Sequence, residues 1–179
     1  MASLLAIDLG LKTGLAIYGD DGRLRRYRSC NFGARSRLKR AIPAILSDLD
    51  ELTWLVTEGD QALSDLWGRR AQRRGTAIIS IGAQVWRQHL MVQRERRSGY
   101  DAKQHADRHA RQIIAWSNAP APTSLRHDAA EAILIGLWGV LEVGWLTELP
   151  DVLARGGLTA VGPFGERAAQ SQAESAAVT

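Results

Sequence analysis

The stretch Ser3-Leu4-Leu5-Ala6-Ile7-Asp8-Leu9, then Gly10-Leu11-Lys12, then Thr13-Gly14-Leu15-Ala16-Ile17-Tyr18, decides how the rest of the chain is read. Two short apolar runs flanking a glycine-containing link predict a β-hairpin. Asp20-Asp21-Gly22 is a turn signal leading into a third strand at 23–31. Leu38, Ile42, Ile45, Leu46 and Leu49 recur at helical spacing and predict a helix over 37–52. Residues 54–57 form a fourth, buried strand that runs into Glu58. A helix over 61–74 stopped by Gly75, and a fifth strand at 77–81, come next. A short helix near 84–90, a polar loop holding Arg94, Arg96, Arg97 and Gly99, and helices over 102–116 and 127–145 complete the order. The result is an α/β fold: a five-stranded mixed sheet, three antiparallel strands followed by helix-interleaved ones, flanked by helices. A chain of 179 residues suits one domain, placed at 1–150. The Gly-, Ala-, Gln- and Ser-rich remainder, 151–179, is expected to be a flexible tail.

The net charge of +4 hides an uneven distribution. Residues 23–40 hold eight cations and no acid, and residues 69–111 hold eleven cations against Glu95, Asp101 and Asp107. Residues 112–179 reverse the sign, with three cations and seven acids. Such clustering points to a polyanionic partner. Cys30 is the single cysteine, which excludes an intrachain disulfide or a cysteine-rich zinc site and fits a reducing cytoplasm. The N-terminus places an acid at residue 8 with no basic n-region, so no signal peptide is expected. The longest apolar stretch, 132–146, is interrupted by Glu142 and is short for a membrane span, so a buried helix is expected there.

Four acids stand out against this apolar background. Asp8 lies inside an apolar strand, where a carboxylate needs a cation or hydrogen-bond donors. Glu58 ends the run Trp54-Leu55-Val56 at the strand's carboxyl end, with Asp60 as a rival beside it. Asp128 and Glu131 are three apart at the start of an apolar helix, so both project from one face. Ala129, Ala130 and Ala132 would let that turn approach the sheet closely. Acids in a first helical turn also suit the helix dipole, which is the plainer explanation for either one alone. Four convergent acids repel one another unless cations intervene, and oxygen-only ligation suits Mg²⁺ or Mn²⁺. Two such ions can activate a water and stabilise the leaving oxygen of a phosphodiester.

Leu5-Ala6-Ile7-Asp8-Leu9-Gly10 with Thr13-Gly14, Glu58 closing the fourth strand, and Asp128-Ala129-Ala130-Glu131-Ala132 together resemble the RuvC-like Holliday junction resolvases of the RNase H-like superfamily. The resemblance spans about residues 4–145. It implies a homodimer that resolves four-way DNA junctions by paired nicks in recombination and repair. Asp8, Glu58, Asp128 and Glu131 would then bind two Mg²⁺ ions, with Mn²⁺ able to substitute. Arg74, Arg87 and Lys103 match basic positions that contact DNA in the family, Arg87 and Lys103 near the scissile phosphate, with Lys103 counted as catalytic. The chain departs from the pattern at Leu9, where proline is common, and at Glu131, where aspartate is usual. His127 is assigned a supporting place beside the ligands, because some relatives place a histidine in this helix motif. No aromatic wedge follows Glu58 directly, and Trp67 suits a core or a dimer interface better.

Three other readings stand beside this one. Another RNase H-like nuclease, such as one trimming ribosomal RNA precursors, would present the same acids. The actin-like ATPase and sugar-kinase group shares a loop like Asp8–Gly14, yet needs a second such domain. A non-catalytic nucleic-acid-binding module is disfavoured by carboxylates that repel phosphate.

Overall fold

Side chains of β1 (Ser3–Asp8) alternate strictly: Leu4 and Ala6 join one apolar core, Leu5 and Ile7 another. Burial on both faces explains why the strand is apolar throughout. In the computed structural model, which describes residues 1–49 and 51–177, β1 is the middle strand of five. β2 (Lys12–Gly19) and β3 (Leu24–Asn31) extend the sheet antiparallel on one side. β4 (Leu52–Glu58) and β5 (Ala77–Ile81) extend it parallel on the other, giving the order β3-β2-β1-β4-β5. The expected five-stranded mixed sheet flanked by helices is therefore present.

Helices α1 (Arg35–Ser47) and α2 (Gln61–Gln72) cover the Leu5–Ile7 face, where Trp67 is fully buried as a core residue. The other face carries α3 (Ala83–Leu90), α4 (Gly99–Trp116) and α5 (His127–Glu142), with a 3₁₀ turn at Gln93–Arg96. α5 is the central helix, buried continuously from Ala132 to Glu142. A Cβ at its Gly136 would collide with the Tyr18 ring at 2.2 Å, and one at Gly139 would press on Val56 and Leu4 at 3.1–3.2 Å, so the helix packs closely on the sheet. Among the described residues no helix is long and apolar enough to cross a membrane.

Element ends differ from expectation where periodicity outlasts the helix. α1 stops at Ser47, not residue 52, because the chain reverses through Glu51 at φ 50°. Leu49 and Leu52 are buried all the same, one from the turn and one from β4, which kept the apolar rhythm going. α5 stops at Glu142 rather than 145, and Gly144 at φ 76° provides the left-handed exit. α4 begins at Gly99, three residues earlier than expected, because Ser98 caps it by accepting from the Asp101 N–H at 3.1 Å.

The segment expected as a flexible tail carries two helices, α6 (Asp151–Arg155) and α7 (Glu166–Ala177). Leu153, Leu158 and Ala168 are buried against the α5 core. Buried Glu142 accepts from the Arg167 N–H at 2.7 Å and the Ala168 N–H at 3.3 Å, which satisfies donors of the first turn of α7. Ser171 Oγ accepts from the Ile78 N–H at 3.2 Å, so α7 also covers the open edge of β5. Residues 178–179 lie outside the described residues.

Candidate active site

Period-two alternation assigns the acids to one face. Asp8 shares parity with Leu4 and Ala6, and Glu58 with Trp54 and Val56, so both point to the α5 side. Parallel pairing of β1 with β4 sets Asp8 directly beside Glu58. On its other flank Asp8 pairs with Gly14. A Cβ on Gly14 would stand 1.8 Å from the Asp128 carbonyl oxygen, so this glycine is what admits the first turn of α5 to the sheet. That close approach brings Asp128 and Glu131 over the ends of β1 and β4.

The electrostatics register the convergence. Asp8 is pushed from its ordinary 3.8 to about 8, first by burial and then by Glu131, Glu58 and Asp128, against a lowering by Arg87. Glu58, 8% exposed, is raised by burial and by Glu131. Arg87 lowers it, as does the Trp86 indole N–H, which makes no closed hydrogen bond of its own. Arg87 Nη2 lies 2.5 Å from Glu131 Oε1 in a partly buried ion pair. Ser29 of β3 donates to Asp128. An oxygen-only donor set short of positive charge fits a hard divalent cation. The four ligand-bearing groups are nevertheless spread: no three of them bring donor atoms within 4.8 Å of one another. Arg87 and Ser29 each occupy one of the carboxylates.

The other residues singled out from sequence fall in different places. Asp60 caps α2, accepting from the Leu63 N–H at 2.9 Å, which accounts for an acid beside Glu58. His127 is exposed as the first residue of α5. Lys103 is exposed on α4, and Arg87 is the cation that acts on both Asp8 and Glu58. Arg74 is exposed ahead of β5. Ala77 pairs with Trp54 and Ile81 with Glu58, so about 13 Å of strand separates the Arg74 end of the sheet from the acids.

A second group went unnoticed in the sequence. Glu95, His105 and His109 bring ligand atoms within 4.8 Å of one another and could hold a metal ion. Burial raises the Glu95 carboxyl, yet the contact with His109 and the charges of His109, His105 and Arg108 hold it below its usual range. The available signal was the i, i+4 pair His105 and His109 on one helical face.

The sheet order, its parallel and antiparallel halves, and acids at the ends of β1 and β4 beneath a buried helix define an RNase H-like α/β fold. More particularly, the fold is RuvC-like. The Thermus thermophilus RuvC structure is similar at a TM-score of 0.56 and 14% identity, over 89% of this chain and 99% of that one. T. thermophilus RuvC in complex with Holliday junction substrate is similar at a TM-score of 0.51 and 15% identity, over 90% of this chain and 100% of that one. At such identity the likeness is one of fold. No family profile matches the chain, and no curated protein sequence matches it significantly.

Proposed function

We propose that this protein is a divalent-metal-dependent endodeoxyribonuclease that resolves four-way DNA junctions. The observation that carries the proposal is the meeting of Asp8, Glu58, Asp128 and Glu131 on one sheet face, where burial first and then the other three carboxylates raise Asp8 to about 8. Carboxylates that destabilise one another in this way mark a site awaiting positive charge. Asp8, Glu58, Asp128 and Glu131 would hold two Mg²⁺ ions, or Mn²⁺ in their place. Bound there, the metal supplies Lewis acidity and lowers the pKa of water at a phosphodiester.

The chain's own residues do the rest. Trp86 and the burial of Glu58 exclude water behind the acids. Arg87 neutralises Glu131, and its partly exposed guanidinium would be available to pair with a phosphate oxygen if Glu131 served as a metal ligand. Lys103 and the arginines of the 94–97 turn offer further cations to the backbone, and Arg74 reaches DNA away from the cut. Two copies acting on the two symmetric strands would leave paired nicks with 5′-phosphate and 3′-hydroxyl ends. The likeness to a RuvC solved with its junction substrate supports DNA over other polyanions.

A cleavage assay on an immobile four-way junction with Mg²⁺ tests the reading. Wild type is expected to cut, while Asp8→Asn and Glu58→Gln bind the junction and leave it intact. Normal cutting by Asp8→Asn would overturn the assignment of the acids. Cutting of an RNA-containing hybrid with the junction left whole would assign the same acids to an RNA substrate.

A further inference from the structure

Glu95 stands on the 3₁₀ turn Gln93–Arg96 and is 1% exposed, so its carboxylate depends on neighbours for charge balance. Three residues of α4 surround it. His105 Nδ1 is 3.4 Å from Oε1, Arg108 Nη2 is 2.5 Å from Oε1, and His109 Nε2 is 3.2 Å from Oε2. His109 is fully buried.

The proton on His109 is positioned from behind. Gln112 Nε2 donates to the Gly156 carbonyl at 3.1 Å, so its Oε1 is the atom presented to His109 Nδ1, also at 3.1 Å. Gly156 allows that contact, since a Cβ there would meet the Gln112 amide at 2.6–2.7 Å. An amide oxygen only accepts, so Nδ1 carries a ring proton. In the neutral ring the Nε2 lone pair then faces the Glu95 carboxylate, and two acceptors meet at 3.2 Å. That arrangement calls for a positive charge beside them, a place now taken by the Arg108 guanidinium. A histidine whose far nitrogen is held by a carbonyl, with its near nitrogen an acceptor aimed at a carboxylate, has the support that metal-bound histidines show.

We propose that Glu95, His105 and His109 bind one zinc-class divalent ion, at a structural site distinct from the four acids. Two imidazole nitrogens and one carboxylate oxygen suit Zn²⁺, with water as a fourth ligand. Arg108 holds the place of the ion: its guanidinium touches Glu95 and lies 3.3 Å from His109 Nε2, and its side chain is 49% exposed, free to withdraw into solvent. The ion would staple the turn bearing Arg94, Arg96 and Arg97 to α4, the helix that carries Lys103. The inference stands independently of the nuclease reading.

The test uses the full-length Asp8→Asn, Glu58→Gln double variant, in which the acidic quartet is weakened, titrated with Co²⁺ and followed by visible absorption. One equivalent should give the strong d–d bands of a four-coordinate, nitrogen-ligated ion, and one equivalent of Zn²⁺ should abolish them. Adding Arg108→Gln should tighten binding roughly tenfold, by removing the competing cation. Adding His105→Ala, a half-buried position, should weaken it by more than roughly tenfold. His109→Ala should abolish it, and if that variant fails to fold the two preceding ones decide. A folded Arg108→Gln variant that shows only the faint spectrum of hydrated Co²⁺ would overturn the proposal and leave the cluster as an ion pair closed by a protonated histidine. Equal affinity with and without the His105→Ala substitution would overturn it as well.

Discussion

Strand parity turns Asp8 under α5, where burial and three carboxylates lift its pKa from 3.8 to about 8. An acid whose pKa is higher folded than unfolded holds more protons in the native state between those two values. Stability contributed by this group is therefore present at low pH and lost as pH rises towards 8. In EDTA, the melting temperature should fall between about pH 5 and 8. Asp8→Asn should raise it at pH 8 and flatten the slope, since the amide needs no proton to be uncharged. Mg²⁺ should stabilise wild type at pH 8 far more than the variant. A thermal-melt series with and without Mg²⁺ measures all three, and an EDTA-treated protein more stable at pH 8 than at pH 5, with the variant showing the same slope, would contradict the argument. Asp8 was legible because an acid in an apolar strand is conspicuous. Its partners' distances were not, because they depend on Arg87 reaching Glu131 from another helix and on Ser29 reaching Asp128 from the edge strand.

Between elements, the contact of β2 with the start of α5 is the one that assembles the site, and it turns on Gly14. The acids drew attention in the sequence, whereas Gly14 passed as part of a first motif. Its necessity comes from a helix far along the chain, whose Asp128 carbonyl fills the space a Cβ would take. Backbone cannot give way as a flexible side chain can, so Gly14→Ala must push α5 off the sheet or bend β2. A loss of about 1–3 kcal/mol is expected from overpacking of this kind, measurable by urea denaturation. Metal-dependent cutting should fall further than stability does, because Asp128 and Glu131 ride on the displaced turn. Native-like activity in Gly14→Ala would show that the site tolerates a wider sheet-to-helix gap. The same dependence on distant partners explains α6 and α7. Composition at 151–179 marks a polar, glycine-rich segment, but Glu142 satisfies the α7 N-terminus and Ser171 satisfies an edge N–H of β5. Neither Glu142 nor the Ile78 N–H lies in the segment itself.

At the scale of the whole molecule, the basic stretches are divided between the two faces of the sheet, and the acids lie on one of them. β3 is an edge strand whose Arg26 and Arg28 are exposed, while Arg25 is held by Asp21 at 2.6 Å. Ser29, next along the strand, donates to Asp128 on the α5 side, whereas Arg26 and Arg28 pair with Ile17 and Leu15 and so project from the α1 side. The edge meets the acids at Ser29 and carries its cations on the opposite face. The arginines of the 94–97 turn and Lys103 on α4 add a second cationic region on the α5 face. Clustering of cations was readable from the sequence, but which of them flank the acids was not: Arg74 belongs to a basic run and ends at the far side of the sheet. A backbone held by such cations releases condensed counterions on binding, so junction affinity should fall linearly with salt on a log–log plot. With six or more phosphates engaged, the loss between about 50 and 200 mM salt should be about a thousandfold or greater. Replacing Arg26 and Arg28 together by alanine should weaken binding at low salt and reduce the slope by about one for each phosphate no longer neutralised. The same substitutions at Arg73 and Arg74 serve as the comparison, since they remove equal charge about 13 Å of strand from the acids. Fluorescence anisotropy with a labelled junction reads both slopes. A steeper effect from the 73–74 pair than from the 26–28 pair would place the DNA path across the far end of the sheet, and affinity unchanged by salt would mean that these cations do not hold the phosphate backbone.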